Sequence, residues 1–144
     1  MKNIYANHVS FNASFITEHT PSSPAGKDLL LALITELEEH MVQVKEYIST
    51  DYSHRAYVIF KDICICLEAG AVGDKNAQWL IFFNVRHSLF GLRKITLNGK
   101  LSEFSDVLHQ SLSKLVGVQE IRWYKNAHVW NHHAEEKYWS SPHA

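Results

Sequence analysis

A chain of 144 residues is the size of one domain, large enough to bury a core and too short for two good ones. Its apolar and charged fractions, 46% and 20%, are those of a globular protein rather than a disordered one. Lys and Arg (14) nearly balance Asp and Glu (15), and a net charge of -1 lacks the positive excess that nucleic acid or an anionic membrane surface demands.

Residues 8 to 16 alternate, with Val9, Phe11, Ala13 and Phe15 on one side and Ser10, Asn12 and Ser14 on the other. That two-residue period predicts a half-buried strand. The segment from Thr20 to Gly26 is turn-like: Ser22 or Ser23 suits a helix cap and Pro24 a first helical turn. Leu30, Leu33, Ile34, Leu37 and Met41 then recur at helical spacing, with Glu36, Glu38 and Glu39 outside the stripe as a solvated face. From Val42 the period returns to two, with Val44 and Ile48 inward. Glu46 breaks that row, which suits an edge strand.

The stretch from Arg55 to Val85 is the centre of the chain. Two runs rich in β-branched and aromatic residues flank Gly-Ala-Val-Gly-Asp-Lys-Asn (70–76), the signature of antiparallel strands joined by a loop. Lys61-Asp62 interrupts the first run and reads as a tight turn. In the last run Trp79, Ile81, Phe83 and Val85 share an apolar face, while Leu80, Phe82 and Asn84 share a mixed one, as on a sheet covered in part. The only cysteines, Cys64 and Cys66, lie two apart in a strand, alongside rather than facing each other. They read as reduced and buried, which suits a reducing compartment.

Arg86 to Lys94 reads as a connector with Leu89 and Phe90 exposed. Ile95-Thr-Leu reads as a short strand, Asn98-Gly99 as a turn and Ser102 as a helix cap. Phe104, Val107, Leu108, Leu112 and Leu115 predict a second helix ended by Gly117. Val118 to Tyr124 alternates as a last strand, and Asn126 is placed to cap an aromatic, His-rich segment.

The fold class that results is α+β: a mostly antiparallel sheet of five to seven strands, two amphipathic helices on one face and an aromatic C-terminal segment. Residues 1–125 form the domain, and 126–144 are a tail that packs on it. No apolar run is long enough to span a membrane, and Met1 to His8 lack the apolar core of a signal peptide, so the expected location is cytoplasmic.

Catalytic motifs are not found: no Gly-x-Ser-x-Gly elbow and no Gly-rich phosphate loop before a helix. The thiols sit among Val and Ile, where reactivity falls. The chain leans away from being an enzyme, and no cofactor or catalytic residue is expected. A helical tail would bring His128, His132 and Glu136 to one side, the donors of a divalent metal site. They lack the His-Glu-x-x-His pattern, and a packing helix accounts better for the segment, so no metal is expected.

A half-covered sheet with exposed aromatics beside charges is the material of protein-binding hot spots. The residues expected to meet a protein partner are Arg86, His87, Phe90 and Arg93 with Trp130, Tyr138 and Trp139. The arginines would pair with acidic groups and the rings would act as desolvated anchors. In size, near-neutral charge and lack of catalytic motif the chain resembles bacterial immunity proteins, which neutralise a toxin by covering its active site. That likeness is of general type and rests on no motif; it implies a small cytosolic protein-binding module. The alternative is a small-molecule- or metal-binding domain, enzymatic or not, whose pocket lies between the open sheet face and the tail. The same apolar edge would also serve a homodimer.

Overall fold

The computed structural model describes residues 5–13, 27–50, 53–72, 78–88 and 94–143, with the backbone alone described at 87, 88, 94 and 95. Six strands form one antiparallel sheet: β1 (His8–Asn12), β2 (Gln43–Ser49), β3 (His54–Phe60), β4 (Ile63–Val72), β5 (Gln78–Ser88) and β6 (Gln119–Tyr124). Their spatial order is β2-β3-β4-β5-β1-β6, with β2 at one edge. Helix α1 (Lys27–Glu38) carries the chain from β1 across to β2, α2 (Lys94–Lys114) from β5 to β6, and α3 (Ala127–His133) follows β6. The α+β class and the antiparallel sheet are those read from the sequence. Among the described residues no helix is long and apolar enough to cross a membrane.

One sheet face is core. Val9, Phe11, Val58, Ile65, Leu67 and Ile81 belong to a buried cluster closed by Leu29, Leu33 and Leu37 of α1 and Phe104, Leu108 and Leu112 of α2. Phe104 is the hub, edge-on to Phe60 at 5.6 Å and to Phe83 at 5.1 Å. Trp79, fully buried, donates its indole N–H to the Ala13 carbonyl at 2.9 Å, so the largest core ring hides no unsatisfied donor.

The β3–β4 hairpin turns on Lys61-Asp62, as read from the sequence. Phe60 pairs with Ile63, and both turn residues have positive φ, 47° and 67°, the mirror-image turn that matches strand twist. Lys61 also pairs with Glu103 of α2, and Lys100 Nζ donates to the Lys61 carbonyl at 2.8 Å.

Several local expectations are corrected. Ile95-Thr-Leu is no strand, Asn98-Gly99 no turn and Ser102 no cap: all lie within the single helix α2. Leu97 and Leu101 extend the stripe of Phe104, Leu108 and Leu112 backward at helical spacing, and burial of that longer stripe outweighs a local turn signal. Gly117 has φ 85° just beyond the helix, the stop its lack of Cβ permits. Met41 is not on the buried stripe of α1. It lies past the helix end with φ 64° and is 88% exposed, whereas Leu29 is buried. On β2 the pairing register shifts between Val44 and Glu46. This bulge puts Tyr47, not Ile48, on the core side with Val44, and it explains why Glu46 broke the alternation. Arg86, His87 and Ser88 belong to β5 rather than to a connector, and Gly70, Ala71 and Val72 belong to β4. Phe15, Ser22, Ser23, Pro24, Leu89, Phe90 and Arg93 lie outside the described residues.

Candidate functional site

The second sheet face carries the side chains that alternate with the core. From the β2 side inward these are Arg55 and Tyr57 of β3, Cys66 and Glu68 of β4, then Leu80, Phe82 and Asn84 of β5. His8 and Ser10 of β1 and Arg122 and Tyr124 of β6 complete it. The mixed trio Leu80, Phe82 and Asn84 is where the alternation of β5 placed it.

The far end of this face is covered by α3 and the segment after it. Asn126 caps α3, its side-chain oxygen accepting from Val129 N at 3.0 Å. That cap directs Trp130 onto Tyr124, edge-on at 5.0 Å. The Tyr124 hydroxyl donates to the Ala134 carbonyl at 3.2 Å and lies 3.3 Å from Ser10 Oγ. Tyr124 and Ser10 are thereby buried on the side of the sheet opposite α1 and α2, at 1% and 2% exposure. The chain then folds back along the sheet edge. Trp139 exchanges two backbone hydrogen bonds with Trp123, Ala6 N donates to the Pro142 carbonyl, and His143 Nε2 lies 2.8 Å from Asp106 Oδ1 of α2. Residues 126–143 are thus tied at both faces of the molecule.

Between α3 and the sheet lies a cleft of about 530 Å³. Asn7, His8, Leu80, Phe82 and Asn84 form its sheet side, and Asn126, Ala127, Trp130 and Asn131 its helix side. Among the described residues the lining contains no Asp, Glu, Lys or Arg. His8 and Phe82, paired across β1 and β5, stack at 5.2 Å with 11° between their planes. Burial pushes the His8 imidazole down to about 4, so it is neutral at physiological pH.

The rest of the face is not covered by α3. Arg55 donates from Nε and Nη2 to Glu68 Oε1 at 2.8 and 2.6 Å, which holds its guanidinium firmly protonated. Arg86, exposed, rests 4.1 Å over the Tyr57 ring and makes no ion pair among the described residues. Cys64 is buried and Cys66 half-buried, both free thiols, and burial pushes the Cys66 thiol up, away from nucleophilic use.

Of the residues expected to meet a partner, Arg86 is on this face, and Trp130 is half-buried at the cleft. Tyr138, 43% exposed, covers Arg122 at 4.5 Å, and Trp139 is half-buried against β6. His87 is on β5 with only its backbone described; Phe90 and Arg93 lie outside the described residues. His128 and His132 approach with ring centres 4.6 Å apart, but α3 ends at His133, one turn short of presenting Glu136 beside them. Among the described residues no group of three His, Cys, Asp or Glu side chains is placed to hold a metal ion. His8, Asn7 and Asn131 were not singled out from the sequence. No spacing rule joins residues this far apart; only the β1–β5 register and the α3 cap bring them together. Comparison of the chain with protein-family models, with curated proteins and with solved structures finds no match.

Proposed function

We propose that the protein is a small cytoplasmic protein-binding module that docks an acidic partner surface on the uncovered half of its sheet. The observation that carries this reading is Arg86: exposed, lying on the Tyr57 ring, and making no ion pair among the described residues. A guanidinium laid on an aromatic plate has lost much of its rotamer freedom before binding, so a carboxylate meets it at reduced entropic cost. Trp130 and Tyr138, partly exposed beyond it, suit the role of desolvated anchors. A toxin-neutralising role of the immunity type fits such a surface, because occluding an enzyme's active site requires area and charge match and no chemistry.

The test is to recover the tagged chain with its partner from the native host, then reconstitute the complex from purified components. Isothermal titration should give a stoichiometric complex that Arg86→Glu weakens by about tenfold or more, with Trp130→Ala weakening it similarly. Equal affinity for the wild type and Arg86→Glu would remove this surface from the reading. The second reading, a small-molecule pocket between sheet and tail, is favoured by the cleft beneath α3.

A further inference from the structure

Among the described residues the cleft beneath α3 combines an uncharged lining with an open acceptor. His8 is only 7% exposed. Its Nδ1 lies 2.7 Å from Asn7 Oδ1, so Nδ1 carries the proton and donates to that carbonyl. The other ring nitrogen, Nε2, is then a lone-pair acceptor, and it takes no partner among the described residues. That nitrogen is not sealed in the interior, and the cleft that His8 lines is where a donor can reach it. At the rim the exposed side-chain amides of Asn84 and Asn131 offer donors and acceptors. Asn126, with its oxygen engaged by Val129 N, retains two amide protons to give. Apolar surface comes from Leu80, from Phe82 stacked on His8, and from Trp130 on the helix side.

We propose that this cleft binds an uncharged planar heterocycle with a lactam edge, the class of uracil, thymine, guanine and hypoxanthine and their nucleosides. The ring N–H donates to His8 Nε2, and the adjacent ring carbonyl accepts from a rim amide. The apolar faces lie against Phe82 and Trp130, as flat rings do on aromatic side chains. Asparagine side chains are suited to such edges because one amide donates and accepts together. With no Lys or Arg among the described lining residues, none of them pairs with a phosphate, so the free base or nucleoside is the fitting form rather than the nucleotide. The inference does not rest on the docking reading, whose key pair, Tyr57 and Arg86, lies outside the cleft lining.

Isothermal titration of the full chain at neutral pH tests it, with uridine, guanosine, N3-methyluridine, adenosine, uridine monophosphate and glucose as probes. The expected result is saturable one-to-one binding of uridine or guanosine. N3-methyluridine, which cannot donate, should bind about tenfold more weakly, and uridine monophosphate no more tightly than uridine. His8→Phe keeps the ring stack but removes the acceptor, and should weaken binding about tenfold. Should His8→Phe fail to fold by circular dichroism, Asn84→Ala on the exposed rim serves instead and should weaken binding several-fold at unchanged melting temperature. The proposal is overturned if neither lactam nucleoside binds the folded protein at about 1 mM. Binding that ignores N-methylation, binding strengthened by the phosphate, or equal binding of adenosine or glucose would overturn it as well.

Discussion

Trp123 and Trp139 exchange a pair of backbone hydrogen bonds, N to O at 2.7 Å and O to N at 2.8 Å, so a single residue of the C-terminal segment prolongs the sheet beyond β6. One bridge holds the segment that also carries Pro142 against Ala6 and His143 against Asp106. Trp139→Pro removes the donor of one of these bonds and, through its ring, restricts the preceding residue. The expected loss is about 1–3 kcal/mol in urea denaturation. It should come with concentration-dependent association in sedimentation, because the β6 edge is bared. Wild-type stability in this variant would mean that the tail is held by its side chains alone.

His8 gives the protein an acid-sensitive component of stability. Its folded-state pKa, about 4, lies below the ordinary 6.5, so as pH falls the unfolded chain takes up the proton first. The contribution is complete above about pH 6.5 and is lost progressively down to about pH 4. It should amount to about 2 kcal/mol, allowing for the side of the ring that meets the water of the cleft. Burial lowers His109 as well, with Asp106 opposing, and that group acts in the same direction. Denaturation midpoints of wild type and His8→Gln, compared between pH 7 and 4, isolate the His8 share. The difference between the two proteins should shrink as the pH drops.

Two non-glycine residues occupy the left-handed backbone region where a side chain brings little return. Met41, at φ 64°, is 88% exposed, and Asp62, at φ 67°, is exposed in the β3–β4 turn and its side chain makes no hydrogen bond among the described residues. Met41→Gly and Asp62→Gly should each stabilise by about 0.5–1 kcal/mol, read as a higher urea midpoint at unchanged slope. A lower midpoint for Met41→Gly would mean that the thioether holds contacts in the folded state.

The imidazole of His54 is fully buried, with Tyr47 Oη 2.5 Å and Ser49 Oγ 3.0 Å from its Nδ1. Tyr47→Phe preserves the stack between the two rings, whose centres are 5.7 Å apart, and removes only the hydroxyl. A loss of about 1 kcal/mol is expected, with Ser49 retaining part of the polar contact. An equal loss in Tyr47→Phe and Tyr47→Ala would assign the effect to the hydroxyl alone.

Much of the sheet was legible because its strands are amphipathic over their whole length. Trp79, Ile81 and Phe83 against Leu80, Phe82 and Asn84 state both faces of β5 without help from elsewhere. Reading failed where a local signal competed with a longer one. Asn98-Gly99 reads as a turn only until Leu97 and Leu101 are seen to continue the Phe104 stripe, and Tyr47 and Ile48 exchange faces across a bulge that no alternation rule foresees. The cleft was the least legible part. Its sheet wall joins residues 7 and 8 to residues 80, 82 and 84, its helix wall comes from residues 126 to 131, and the burial of Ser10 depends on Tyr124, 114 residues away.

The bond from Ala6 N to the Pro142 carbonyl, 2.8 Å, makes near neighbours of residues 136 positions apart. Because residues 6 and 142 already touch, a covalent link between these two positions would close a long loop, cutting the entropy of the unfolded chain while leaving the native contacts in place and raising the melting temperature.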